Sequence, residues 1–301
     1  MRYPAVMGVT RPAFLVLTPV CVLLGLAAVA TGGVAVDWFA AALTLIGAIA
    51  AHVSVNALNE YEDFRSGLDF RTDRTPFSGG SGTLVAHPEL ASQAQIIGLG
   101  SLFVSAACGL ILLSRAGWGL LPVGLLGLAL VCFYTTRINH NRFLCLIAPG
   151  LGFGPLMVVG THYAVTGGWS LSAAVASLVP FFLVSNLLLL NEFPDAEADR
   201  SVGRDTLPVG AGLPYSLRVY GLFALFAYLS IALGVAVGAL PGGALLGLLT
   251  LPVVVLVYAG VNKALKEGGS LVPRIAPLLG LNVAVALITP ALVAIGLLLT
   301  P

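Results

Sequence analysis

The side chains in this sequence that could hold a charged ligand fall in two short stretches. The first runs Asn56, Asn59, Glu60 and Asp63, then continues through Arg65, Asp69, Arg71, Asp73 and Arg74. Its opening four are spaced i, i+3, i+4 and i+7, which puts them on one helical face. The second runs Asn191, Glu192, Asp195, Glu197 and Asp199, followed by Arg200, Arg204 and Asp205. Asn191, Asp195 and Asp199 are spaced i, i+4 and i+8, again one face, with Glu192 flanking it. Pro194 is expected to kink or end that helix. Paired carboxylates repel unless something offsets their charge. Hard oxygen donors of this kind suit Mg2+, which takes one or two carboxylates and completes its shell with water and substrate phosphates. The interleaved arginines suit the same ligand, because guanidinium forks bind phosphate oxygens bidentately. Carboxylates, metal and arginines together describe a diphosphate site. Helix-end charges that cap and pair would explain one such cluster, but two matched clusters fit that explanation poorly. A carboxylate cluster could also bind a transported cation.

Both clusters close long apolar runs. The chain of 301 residues is 58% hydrophobic and only 9% charged, against roughly 25% charged residues in soluble domains. Runs near the length needed to cross the hydrocarbon core are expected at 13–32, 38–58, 94–114, 117–136, 143–165, 171–192, 214–237, 242–263 and 273–299. The first is too long, and too plainly continued by others, to be a cleaved signal peptide. The expected fold is an all-α membrane protein of nine transmembrane helices around a central cavity, with cytoplasmic cap loops after helices 2 and 6. Residues 1–301 are expected to form one membrane domain. The clusters close spans 2 and 6, four spans apart, which suggests a pseudo-repeat of four-helix units. Cys21, Cys108, Cys132 and Cys145 all lie in apolar stretches, where a thiol behaves as a small hydrophobe.

Charge is partitioned between the two faces of this bundle. The N-terminal tail and the loops after spans 2, 4, 6 and 8 hold 13 of the 14 basic residues, Arg2 and Arg11 among them, and only Arg115 lies on the other side. The positive-inside rule then places the N-terminus in the cytoplasm and the C-terminus outside. Of the 13 acidic residues only Asp37 is off the cytoplasmic side. Ionisable groups at the end of a transmembrane helix normally face a protein interior or a water-filled cavity, so the asymmetry points to an ionic site opening toward the cytoplasm.

At these residues the sequence resembles the UbiA superfamily of intramembrane prenyltransferases. The stretch from Asn59 to Asp69 looks like the first aspartate-rich motif, with Asn59, Asp63 and Asp69 in matching places and Glu60 where many members have Asp. Asn191, Asp195 and Asp199 match the second motif, which runs on through Arg200, Gly203, Thr206 and Leu207. The spacing with Gly67, the Gly79-Gly80-Ser81-Gly82 loop and the Asn191-Asp195-Asp199 series are most similar to the MenA-type branch, the 1,4-dihydroxy-2-naphthoate polyprenyltransferases. One departure is the loop Arg137-Ile138-Asn139-His140, where many relatives have prolines. It borders the expected active site.

The resemblance implies transfer of a polyprenyl group from its diphosphate to an aromatic acceptor, in menaquinone biosynthesis if that acceptor is 1,4-dihydroxy-2-naphthoate. It implies Mg2+ held by Asn59, Asp63, Asp69, Asn191, Asp195 and Asp199, with Asn56, Glu60 and Glu192 secondary. Arg65, Arg71, Arg74 and Arg204 are the expected diphosphate clamps, with Arg11 a weaker one. Asp63, Asp195 and Tyr134 are the expected catalytic residues. Tyr134 and Tyr61 could offer π faces to an allylic cation or simply belong to an interfacial aromatic belt. His52 is expected to make an interhelical hydrogen bond, and Gly150 to Gly154 to allow close helix packing. The expected location is a prokaryotic inner membrane, with the lipid bilayer as partner and no nucleic acid. Alternatives are a related prenyltransferase with another acceptor, a terpene cyclase using the same metal–diphosphate site, or a secondary transporter. A transporter would place its ionisable groups nearer the midplane.

Overall fold

Backbone groups in hydrocarbon must find their partners within their own segment, which leaves helices as the form for long apolar runs. The computed structural model describes residues 5–72 and 74–300. Arg2 and Asp73, both named above, lie outside the described residues. In chain order the apolar helices are α1 (Leu17–Thr31), α2 (Trp38–Ser66), α3 (Pro88–Ala116), α4 (Trp118–Phe133), α5 (Arg142–Thr166), α6 (Leu171–Ser201), α7 (Leu213–Ala236), α8 (Gly242–Glu267) and α9 (Val272–Leu299). Among the described residues, seven of these are long and apolar enough to cross a membrane, while α1 and α4 are shorter. The first expected span loses its opening residues to turns before Leu17, and the fourth ends at Phe133 in another turn. Large apolar side chains such as Trp38, Phe103, Trp118 and Leu249 stand on the outer surface. This is an all-helical integral membrane protein.

α6 is the most enclosed of the long helices and packs on α1, α5, α7 and α9. It continues through Pro194 to Ser201 instead of ending there. Proline's φ is already helical, so its cost is one missing hydrogen bond and local crowding. α5 departs from the simple helix expected at 143–165. Its middle, Gly152–Val159, is π-helical, with Pro149 just before it and Pro155 within it, whose missing N–H groups interrupt the ordinary ladder. Gly150 and Gly154 allow close packing, as expected, whereas a Cβ on Gly152 would meet nothing. A Cβ on Gly154 would lie 2.7 Å from the backbone nitrogen of Phe181 on α6.

Hydrogen bonds inside the bundle fix helix neighbours that apolar packing alone would leave free to slide. Thr18 on α1 bonds the His52 ring on α2 at 2.8 Å, the interhelical link expected of that histidine. Asn186 donates to the Tyr220 carbonyl at 2.8 Å, and the Tyr220 hydroxyl donates to Asn282 at 2.9 Å, joining α6, α7 and α9. Asp37 and Arg115, the acid and the base set apart by the charge partition, pair with each other at 2.9 Å.

The helices enclose a cavity of about 610 Å³. Thr44 and Asp63 both line it from α2, nineteen residues apart, or roughly 28 Å at the α-helical rise. Its polar end is formed by the two acidic clusters and the rest is mostly apolar. α4 forms one wall, and its Leu121–Phe133 stretch has no buried residue.

Gly154→Val is expected to push α5 off α6 and to destabilise the protein by about 1–3 kcal/mol, as overpacked cores do. A lowered thermal unfolding midpoint in detergent would show it. An unchanged midpoint would mean that the α5–α6 contact can relax.

Candidate active site

The last turns of α2 present Asn56, Asn59 and Asp63 to the cavity. Glu60 follows Asn59 and is therefore rotated about 100° around the helix, away from the cavity. It is fully buried. Its Oε1 accepts from Arg11 Nε at 2.9 Å, Arg11 Nη2 at 2.7 Å and Ser81 N at 2.6 Å, and its Oε2 from Ser81 Oγ at 2.8 Å. Glu60 thus fastens the N-terminal segment and the glycine loop to α2, leaving little capacity for another ligand.

The glycine loop in turn touches both clusters. Gly79, Gly80 and Gly82 have φ of 81°, 73° and 75°, the left-handed region where glycine carries no Cβ penalty. Gly79 N donates to Asp195 Oδ2 at 3.2 Å, and a Cβ on Gly80 would lie 2.8 Å from Asp69 Oδ1. Arg74 wraps the loop, donating to the carbonyls of Asp69 at 2.9 Å and Gly79 at 3.3 Å.

The clusters meet at Arg204. One arm of its guanidinium bonds Asp63 Oδ1 and the other bonds Asp199 Oδ1 at 3.2 Å. Asn59 donates to the other Asp63 oxygen at 2.7 Å and accepts from Thr135 at 3.1 Å. Asp63, Asp69, Asn191, Asp195, Asp199, Tyr134, Arg11 and Arg204 all line the cavity. Arg65, Arg71 and Arg74 are not on its walls. Arg65 lies over the Tyr61 ring at 5.5 Å, and Arg71 reaches Ser201 Oγ at 3.1 Å. Tyr61 packs with the apolar group around Val9 and Leu84.

Four cavity-wall residues carry side-chain oxygens that are buried and unpartnered among the described residues: Asp69, Asn191, Asp195 and Thr206. Five carboxylates line the cavity against two guanidinium groups. Among the described residues no three histidine, cysteine or carboxylate side chains converge on one point. Excess negative charge with unpartnered hard oxygens fits a divalent cation that shares its shell with a phosphate ligand.

Sequence reasoning passed over Asn139, Cys145 and Thr206 as ligand-binding groups, yet all three line the cavity. The Arg137-to-His140 loop was the available signal for Asn139. Cys145 gave none, because its apolar neighbours hide a thiol that donates to Glu192 Oε1 at 3.2 Å.

The sequence profile of the UbiA prenyltransferase family matches residues 18–271. The chain belongs to this family. This UbiA-family chain is 28% identical over 206 residues to the 1,4-dihydroxy-2-naphthoate octaprenyltransferase of Bacillus subtilis (strain 168). That match covers 67% of the chain, which spans 64% of the length of the Bacillus protein. A UbiA homolog from Aeropyrum pernix K1 shares the fold, with a TM-score of 0.69 at 18% identity over 96% of this chain and 98% of that one. A UbiA homolog from Archaeoglobus fulgidus bound to DMAPP and Mg2+ shares it too, with a TM-score of 0.62 at 17% identity over 97% and 99% of the respective chains.

Burial, followed by the charges of Glu60 and Asp63, pushes the Asp69 carboxyl from 3.8 up to about 7. Between those values the unfolded chain has released a proton that the folded chain keeps, so stability falls as pH rises through this window. In chelator, Asp69→Asn is expected to flatten that decline and to raise the unfolding midpoint at pH 7 relative to wild type. A variant with the same pH slope as wild type would remove Asp69 as its source.

Proposed function

We propose that this protein transfers a polyprenyl group from its diphosphate to an electron-rich aromatic acceptor within the membrane, with 1,4-dihydroxy-2-naphthoate as the acceptor, a step of menaquinone biosynthesis. The observation that carries the reading is the meeting of two carboxylate clusters, through Arg204, at the polar end of one deep apolar cavity. The relatives support it. The Bacillus protein is a 1,4-dihydroxy-2-naphthoate octaprenyltransferase and the Archaeoglobus homolog binds DMAPP and Mg2+.

On this reading Asn59, Asp63 and Asp69 hold Mg2+ from one side of the cavity and Asn191, Asp195 and Asp199 from the other. Its chemistry when bound is to neutralise the charge that builds on the departing diphosphate. Arg204, held between Asp63 and Asp199, brings positive charge to the same end for the phosphate oxygens. Arg11 borders the same end and is kept in place by Glu60. The apolar walls hold the prenyl tail and keep water from the allylic cation. Tyr134, between the polar end and those walls, offers a π face to that cation. The C–O bond to the diphosphate breaks and a ring carbon bonds the allylic carbon. The ring then releases a proton, or CO2 where the attacked carbon carried a carboxylate.

The proposal extends to topology. All nine apolar helices cross the bilayer as one domain with a four-helix pseudo-repeat, in a prokaryotic inner membrane, with N-terminus and site cytoplasmic and C-terminus outside. The self-paired Asp37 and Arg115 support this orientation, since they leave the opposite face without unbalanced charge. Alkaline phosphatase fused after Gly117 is expected to be active and, fused after Gly268, inactive. The reverse pattern would invert the topology.

The deciding assay uses purified protein in detergent, labelled geranylgeranyl diphosphate and 1,4-dihydroxy-2-naphthoate, with and without Mg2+. Metal-dependent prenylation is expected, falling by about 100-fold or more in Asp63→Ala and Asp195→Ala, the scale of lost electrostatic stabilisation in a closed site. Diphosphate release without a prenylated ring would point to another acceptor or a cyclase. Folded protein that releases no diphosphate from any prenyl donor would sink the enzyme reading and favour a transporter.

A further inference from the structure

Beside the diphosphate end, the cavity has a second set of polar groups that the leaving group does not need. Asn139 N bonds the Tyr134 carbonyl at 3.1 Å, and the Asn139 carbonyl accepts from Asp205 N at 3.2 Å, which brings Thr206 to the same wall. The Cys145 thiol, on α5, lies 3.6 Å from Asn139 Oδ1 and donates to Glu192 Oε1 on α6 at 3.2 Å. All five residues of this wall line the cavity.

What these groups lack is informative. Among the described residues, the Thr206 hydroxyl is buried without a partner, and Thr206 itself is 2% exposed. Glu192 makes no ion pair there, and only a weak thiol donor meets its carboxylate. A buried carboxylate with so little compensation needs further donors. Arg204 belongs to the diphosphate end, where Asp63 and Asp199 hold it, and this wall carries no cation of its own. It offers instead one strong hydrogen-bond acceptor, an amide, an alcohol and a phenol, facing an apolar cavity. That inventory suits an aromatic ring with hydroxyl donors.

We propose that Tyr134, Asn139, Cys145, Glu192 and Thr206 form the acceptor subsite, in which the Glu192 carboxylate accepts a hydrogen bond from a ring hydroxyl. This rests on the prenyl-transfer reading above. Any carboxylate on the ring turns toward the donors on Asn139 and Thr206. Cys145 positions Glu192 from the neighbouring helix.

The test splits the two substrates. Glu192→Met, of similar length but without the acceptor oxygens, is expected to raise KM for 1,4-dihydroxy-2-naphthoate about tenfold or more, the scale of a buried donor left without its partner. KM for geranylgeranyl diphosphate is expected to stay within about twofold, since tenfold there would need a loss of similar size. Glu192→Gln, which keeps an acceptor oxygen, recovers part of the loss. A second readout needs no variant. In the wild-type protein, 1,4-dihydroxy-2-naphthoate is expected to slow N-ethylmaleimide alkylation of Cys145, read by peptide mass spectrometry. Parallel rises in both KM values, an unchanged acceptor KM, or alkylation that ignores the acceptor would each overturn the subsite. Wild-type protein that consumes no prenyl diphosphate would overturn the prenyl-transfer reading and the subsite together. Turnover with unsplit KM values overturns the subsite alone.

Discussion

The two halves of the site are held together by one guanidinium. Arg204 is largely buried, as are Asp63 and Asp199, so the triad has little water to share its charge. Removing one partner from such an arrangement costs about 3–5 kcal/mol, because the others remain as uncompensated buried charge. The triad therefore fixes how far apart the ends of α2 and α6 can stand. Every donor placed by those helices inherits that separation, including Asn59 through its bond to Asp63.

A second brace adds to the first. Glu60 ties the N-terminal segment and the glycine loop to α2, while the same loop reaches across to Asp195 through Gly79 N. The N-terminal segment, α2, the glycine loop and α6 are thus held against one another by carboxylates that accept from backbone amides and from Arg11. Left-handed glycines allow the loop to approach carboxylate oxygens that a Cβ would displace. The arrangement keeps like charges close together at a fixed spacing.

Helical periodicity made much of this legible. Asp195 and Asp199, one turn apart, line the cavity together because i and i+4 share a face. The apolar runs located all nine helices, though the ends of α1 and α4 depend on turns that hydropathy does not see. Glu60 shows the limit of face arithmetic. A helical face wide enough to include it also included the direction of Arg11 and Ser81, and only the tertiary fold decides between them. Arg204 could not be singled out among neighbouring arginines, since its partner Asp63 lies far away in sequence. Cys145 was hidden for a related reason: its chemistry comes from Glu192 on another helix, and its own surroundings read as apolar packing. The π segment of α5 had its prolines in plain view, but a proline pair predicts a disturbance without saying which form it takes.

The ion pair between Asp37 and Arg115 gives the molecule an electrical lopsidedness. At that end the two groups satisfy each other, while the carboxylates that matter lie at the opposite end, most of a bilayer thickness away. Charges on the surface are screened over about 10 Å at ordinary ionic strength. A change of acidity or salt on the Asp37 side therefore leaves the protonation of the cavity almost untouched. On the topology proposed above, a membrane with one face more acidic than the other would set the ionisation of the cavity from a single compartment. The site would then be insulated from the proton gradient across the lipid that holds it.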